Sequence, residues 1–419
     1  MSRVINLAGR IKERLPAELV GFMQEAGDVA AHEGQGLYLV GGVVRDLLLG
    51  RTNLDLDLVV EGDAIALTEK LNDRRQGKIT THRRFRTAKI KWDRWSADLA
   101  SARSETYARP GALPIVKPDS INRDLFRRDF TVNAMAIDLN PDRYGDLIDL
   151  HGGRTDLEQG IIRVLHERSF VDDATRIWRA LRYEQRLGFR LEHTTLGLLK
   201  RDVPMLKTVS GERTRYELEC ILGEELPEKV LRRAGELGAL AALNPALKAD
   251  DWLVDVFARA RKLSSPEPAP PGLYLSLLAY RLTVEEGEQL VSSLRLSRVW
   301  ARAVRDAIGL KTEVPSLADP ELTPANLYYR LQGYSVLAVT ANRLAADSPV
   351  TRRRIELFLD KLRYIKPSLD GQDLRKMGVA PGPRIKELLG RLNEARLDGR
   401  VTDRRGEVAL VEDLLADKG

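Results

Sequence analysis

Asp55 and Asp57 stand two residues apart in LDLDLVV (54 to 60), an apolar run with strand character. Alternation along a strand sends both carboxylates to one face. Two like charges placed side by side there are costly unless a cation neutralises them. A hard divalent ion with oxygen ligands, Mg²⁺, meets that need, and a pair of such ions would stabilise both the attacking and the leaving oxygen of a phosphoryl transfer. Upstream, Gly41 and Gly42 sit where a strand-like run, LYLV, turns into a helix-like one, VVRDLLLG. That turn leaves backbone N–H groups open to a phosphate, and Arg45, one turn on, can add a charge-assisted contact. Alone, an Asp-x-Asp is usually a strand edge and a Gly-Gly usually a turn. In this order, joined by a short helix, they converge on a nucleoside triphosphate with its metals.

The run GGVVRDLLLG followed by DLD resembles the signature of the DNA polymerase β-like nucleotidyltransferases, in the form used by class II tRNA nucleotidyltransferases and bacterial poly(A) polymerases. The resemblance implies a third carboxylate on a neighbouring strand. Asp98 in WSADLASAR matches it and would help to activate the 3′-hydroxyl of an RNA. RRDFTVNAMAID (127 to 138) resembles the second motif of that family. There Arg127 and Arg128 offer permanently charged donors, while Asp129 and Asn133 orient them or bind a ribose. GDLIDLHGGRTDLEQGIIRVL (145 to 165) resembles the third motif, which links head to neck.

In VDDATRIWRALRYEQRLGF (171 to 189), Asp173 and Arg176 are three apart, a spacing that brings side chains to one face of a helix. An Asp accepts from the exocyclic amino group of cytosine or adenine, and an Arg donates to ring nitrogens or carbonyls. Such a pair would read C and A and reject U and G. The spacing by itself usually means a surface ion pair; its match to the family's Asp-x-x-Arg amino-acid template supports base reading. Arg179 and Arg182 continue the stripe toward the triphosphate or the RNA end. SGERTRYELECIL (210 to 222) resembles a fifth motif, and Glu212 with Arg213 is expected to brace the neck rather than touch substrate.

The elements that must position these groups are of two kinds. Up to about residue 160, short strand-like runs alternate with helical ones, as a mixed α/β domain requires. Beyond it, strand signals almost vanish and apolar residues recur at helical spacing, broken by proline clusters at 264 to 272 and 314 to 324. The expected fold is therefore an α/β catalytic head (1–160) followed by an all-α neck with the nucleobase template (161–225), a helical body (226–330) and a helical tail (331–419). In the tail, a Pro-Gly-Pro turn opens a helix among Lys366, Arg375, Lys376, Arg384 and Lys386. These residues suit sequence-independent contact with phosphates of a folded RNA.

With 419 residues and 43% hydrophobic content the chain can bury several cores, and its net charge of +6 leans toward an anionic partner. A single cysteine, Cys220, excludes an intramolecular disulfide and a cysteine-built zinc cluster. The absence of an apolar leader or spanning segment leads to the expectation of a soluble, cytoplasmic protein without membrane contact or an implied protein partner. The resemblance implies Mg²⁺-dependent, template-independent addition of C and A to the 3′ end of tRNA from CTP and ATP. The alternatives are a partial CC-adding or A-adding enzyme, a poly(A) polymerase, and a non-catalytic RNA-binding protein. The segment 104 to 126, where partial and complete enzymes differ, is present but does not separate them. There is no His-Asp dipeptide of an appended phosphohydrolase and no long basic extension of the poly(A) polymerase kind, which favours the tRNA enzyme.

Overall fold

In the computed structural model, which describes residues 5–416, the chain forms two compact units. One comprises Met1–Glu217 with Glu236–Ala242, the other Leu218–Gly235 with Leu243–Gly419. The expected head and most of the expected neck fall in the first unit.

The first unit opens with helices α1 (Ala8–Arg14) and α2 (Ala17–His32), followed by β1 (Gly36–Val40), α3 (Gly42–Leu48), β2 (Leu56–Glu61) and α4 (Ala64–Arg75). Strands β3 (Lys78–His82), β4 (Thr87–Trp92) and β5 (Trp95–Ser101) come next, then the hairpin of β6 (Arg103–Thr106) and β7 (Ile115–Pro118). Helix α5 (Ile121–Phe126) leads to β8 (Ala136–Asp138) and β9 (Leu147–Ile148). Seven strands form one sheet in the order β3-β4-β5-β2-β1-β8-β9. Within it β2 and β5 run parallel, which needs a long crossover and obtains it through α4, β3 and β4. Asp63 starts α4 by accepting from the backbone of Ile65 and Ala66, leaving those N–H groups satisfied.

Alternation decides the two faces of the sheet. Leu56, Leu58 and Val60 are buried on one side, as are Ala88, Ile90 and Trp92 of β4, and α2 and α4 pack against that sheet. On the other side Tyr38, Val40, Val59 and Ala136 form a core with Ile121 and Leu125 of α5. That second core covers β8, β1 and β2, while on β5, β4 and β3 the corresponding positions Asp98, Lys91 and Lys78 are exposed.

After the sheet come α6 (Gly153–Gln159), α7 (Ser169–Asp172), α8 (Thr175–Leu187), α9 (His193–Asp202) and α10 (Gly211–Leu222). Among these helices lies a two-residue parallel pair, Ile161–Ile162 with Arg190–Leu191. Helix α8 buries Ile177, Trp178, Ala180, Leu181 and Leu187 and stops at Gly188, whose φ of 71° is the left-handed conformation that glycine adopts without a Cβ clash.

The second unit is helical, as its periodicity requires. Both proline clusters interrupt helices: one follows the helix Asp251–Ser264, and the other precedes the helix Pro324–Leu331. One core gathers Leu310, Leu327, Ile355 and Phe358, together with Leu397 from the helix Pro383–Leu397. A second, smaller core holds Leu369, Leu374, Leu388, Leu392 and Val411. Among the described residues no helix is long and apolar enough to cross a membrane.

Candidate active site

The first unit contains a cleft of about 720 Å³ whose lining includes Gly41, Gly42, Arg45, Asp55, Asp57, Arg127, Arg128, Asp129, Asn133, Asp173, Arg176 and Arg179, beside others that the sequence did not single out. The sequence picks out each of the residues named, although they are spread over 139 positions from 41 to 179. The sheet brings the carboxylates together. Asp57 of β2 is the register partner of Asp98 of β5, so in a parallel pair both side chains leave the same face. Asp55 stands just before β2 rather than on it; its N–H is held by Asn53 Oδ1 at 3.0 Å. Both aspartates nonetheless open on the same cleft.

The cleft disfavours the charged form of Asp57. The Asp57 carboxyl is pushed up to about 6, first by the desolvation of its cleft. Arg128 pulls it down, and Asp98 and Asp55 push it further up. Solvent reaches Asp57, but only through a cleft walled by protein, so desolvation and accessibility coexist. Asp98 is half exposed and paired with Lys89 at 2.7 Å. The oxygen donors fit a hard divalent cation. Among the described residues no group of three His, Cys, Asp or Glu could hold a metal by itself. A cation on Asp55 and Asp57 would complete its shell with phosphate oxygens and water, as Mg²⁺ usually does.

The glycine turn lies directly above these carboxylates. Gly41 has φ 77°, and a Cβ there would meet Arg128 Nη1 at 3.4 Å and Asp57 Oδ2 at 3.6 Å. A side chain at this position would thus fill the space between the cation at Arg128 and the carboxylate at Asp57. Arg45 is held within the cleft lining. It is buried, donating to both Asp46 oxygens at 2.9 Å and to Asn133 Oδ1 at 2.8 Å. Asn133 in turn donates to Asp129 Oδ1 at 3.1 Å. Arg45 and Asn133 are thus hydrogen-bonded to each other and to neighbouring carboxylates while both line the cleft. An arginine one turn into a helix next to an aspartate satisfies its donors locally, a pairing visible in the dipeptide Arg45-Asp46.

Arg127 and Arg128 are set by Asp124 at the end of α5. This wholly buried carboxylate accepts from Arg127 at 2.8 Å and from Arg128 at 2.9 Å. Burial alone would raise its pKa, yet Arg128 and Arg127 hold it below the ordinary carboxylate range. Arg128 Nε and Arg213 Nη1 are buried without a hydrogen-bond partner. Arg179 donates to Asp129 at 2.8 Å, whereas Arg182 lies behind the wall, 3.6 Å from Glu217 and against the Tyr183 ring.

Asp173 corrects the expected helical pair. It is not on the helix with Arg176 but in the break between α7 and α8, with φ −140°. Its Oδ1 accepts from the Thr175 N–H and hydroxyl, and Arg213 grips both oxygens at 2.7 and 2.8 Å. Arg176 is buried and anchored by Ser169 Oγ at 2.7 Å and the Arg127 carbonyl at 2.6 Å. Sequence reasoning placed Arg213 and Glu212 in a brace away from substrate; both line the cleft, with Tyr216 and Glu217. Tyr107 and Glu105 from the hairpin were missed as well. Glu105 pairs with Arg103 and Arg127, each at 3.0 Å, and no motif in the sequence marks it.

Comparison with known proteins agrees with this geometry. Residues 37–163 match the Poly A polymerase head domain, and residues 188–251 match the probable RNA and SrmB-binding site of polymerase A. The A-adding tRNA nucleotidyltransferase of Halalkalibacterium halodurans is 31% identical over 92% of this chain and 90% of its own length. The chain belongs to the class II tRNA nucleotidyltransferases. Another relative in this family, the A-adding tRNA nucleotidyltransferase of Geobacter sulfurreducens, is 34% identical over 97% of this chain, which spans only 48% of that protein's length. A solved CCA-adding enzyme in its apo form superimposes with a TM-score of 0.82 at 32% identity, each chain covered in full. A Thermotoga maritima CCA-adding enzyme complexed with tRNA gives a TM-score of 0.78 at 31% identity, again with both chains fully covered.

In the second unit Lys366, Arg375, Lys376 and Lys386 are exposed. Arg384 is not free in the same way: it donates to the Leu414 carbonyl at 3.0 Å and pairs with Glu387 at 2.8 Å. It closes the tail's own helices.

Proposed function

We propose that this chain adds C and A to the 3′ end of tRNA, using CTP and ATP and releasing pyrophosphate. The observation that carries the reading is one cleft with the carboxylates Asp55 and Asp57 on one wall and Asp173 with Arg176 on another. Mg²⁺ held by Asp55 and Asp57 would neutralise the triphosphate and the negative charge on the oxygens around the five-coordinate phosphorus. Asp98, register partner of Asp57, receives the proton of the terminal 3′-hydroxyl as its oxygen bonds to the α-phosphorus and the bond to the β-phosphate breaks. Arg128, which lines the cleft beside the Gly41 turn, would meet the phosphates. Asp173 Oδ2 is engaged only by Arg213, so a lone pair remains for the amino group of cytosine or adenine, which uracil and guanine do not present there. Arg176, fixed through two of its nitrogens, donates its remaining N–H groups to the base edge. Roles of this kind in a reducing cytoplasm fit a chain with one cysteine.

A second reading, addition of A alone, is favoured by the names of three relatives of 31 to 36% identity, all A-adding enzymes. Supplying tRNA ending at the discriminator base, at C, or at CC, each with labelled CTP or ATP and Mg²⁺, decides between the two. Complete CCA synthesis supports the first reading, and labelling only of the CC end by ATP supports the second. No incorporation on any of the three RNAs would overturn both.

A further inference from the structure

From residue 74 to residue 92 the chain carries eight lysines and arginines and no acid. Arg74 and Arg75 pair with Glu25, and Lys89 pairs with Asp98. Among the described residues Lys78, Arg83, Arg84, Arg86 and Lys91 have no carboxylate partner, in a unit where most buried or half-buried arginines are ion-paired. The sheet register gathers them. Lys78 lies directly opposite Lys91, and Lys89 opposite Asp98; alternation places all four on the face that α5 leaves open. Like charges directly opposite each other cost stability. The arginines occupy the turn joining β3 to β4, where Arg86 has φ 51° without being glycine. That turn is locked in place: Arg103 Nη1 donates to the Phe85 carbonyl at 3.0 Å and Ser101 N–H donates to the Arg86 carbonyl at 3.1 Å. The turn is thus a rigidly held cationic segment beside a pair of like charges.

We infer that the open face of β3, β4 and β5, with the turn at 82–86, is a phosphate platform for the last nucleotides of the RNA acceptor strand, delivering its 3′-hydroxyl to Asp98 and Asp57. The inference rests on the RNA-extending reading above. Its geometry is continuous with the carboxylates: Lys89 touches Asp98, Lys91 lies two residues along the same strand, and Arg86 lies three residues the other way, about 10 Å distant. A platform this close meets only the end of the RNA, and cations on a strand and a turn bind phosphates without reading sequence. Protection of the exposed edge of β3 would account for Lys78. It does not account for Lys91 on the interior strand β4, nor for three arginines in the turn.

The test is the full-length triple variant Lys78→Ser, Arg84→Ser, Lys91→Ser, none of which touches the cleft. Three lost phosphate contacts should raise KM for tRNA about tenfold or more and make its log-log salt slope shallower by about 2. The same loss should appear with a minihelix carrying only the acceptor stem, with KM for nucleotide and kcat at saturating RNA unchanged. An unchanged KM for both RNAs would overturn the platform, as would a loss seen with tRNA but not with the minihelix, or a variant that only aggregates while its KM stays normal. If the unmutated protein extends neither RNA, the functional reading itself falls and the platform with it; activity of the unmutated protein with an indifferent variant overturns the platform alone.

Discussion

At the scale of single residues, the carboxylates at the floor of the cleft set function against stability. Because Asp57 titrates near 6 rather than at the ordinary 3.8, its ionised form is less welcome in the folded than in the unfolded chain. Without metal, its contribution to stability falls as pH rises from about 4 to 6 and stays low above that. Asp57→Asn should therefore abolish nucleotide transfer while raising the melting temperature of the metal-free protein at pH 7, with the gain disappearing below pH 4. Thermal melts at both pH values check it, and a variant destabilised at pH 7 would contradict the assigned desolvation of the Asp57 carboxylate. Arg213 makes a different kind of contribution, since it fixes Asp173 through both oxygens. Arg213→Ala should leave metal-dependent turnover in place but relax base choice, raising incorporation of UTP relative to CTP roughly tenfold, equivalent to about 1.4 kcal/mol. Competition assays with paired nucleotides measure this ratio.

At the scale of elements, α5 is short but directs two arginines into the site. Its buried Asp124 is held ionised by Arg128 and Arg127, so its stabilising contribution is present above the unfolded value of 3.8 and is lost as pH falls through the lower folded value. Asp124→Asn should destabilise the first unit by about 3 kcal/mol at neutral pH, the scale of breaking one partner of a buried pair. That difference from the unmutated protein should shrink when urea midpoints are compared at pH 3. An equal difference at pH 7 and pH 3 would mean that hydrogen-bond geometry, not charge, holds the arginines.

At the scale of the whole chain, the tail cannot be tested by simple removal. The helix Pro383–Leu397 contributes Leu397 to a core it shares with Ile355 and Phe358, and Asp398 accepts from the Ala325 N–H at 2.9 Å. Truncation near residue 366 would expose that core as well as delete the cations. Reversing exposed charges separates the two effects: Arg375→Glu with Lys376→Glu should raise KM for tRNA several-fold, steepest at low salt, at an unchanged melting temperature. Unaltered tRNA affinity across the salt range would mean that these cations are only a solvated surface. Arg384 is excluded from the pair because its guanidinium closes the tail on Leu414.

The local order of residues was sufficient for the α/β head, the helical remainder and most of the cleft. Period-two and helical spacings are written in short stretches, and the Gly-Gly, Asp-x-Asp and Asp-x-x-Arg motifs each lie within a few positions. Their partners were not legible in this way. That Asp57 faces Asp98 depends on a parallel register made across a crossover of some forty residues. That Arg45 pairs with Asn133 is decided 88 positions away. Asp173 looked helical by spacing, but the chain breaks there so that its carboxylate can cap Thr175 and be gripped by Arg213, forty residues on. Spacing determines which side chains share a face; only the folded chain decides which charges meet, because a guanidinium removed from water takes the nearest carboxylate that packing provides.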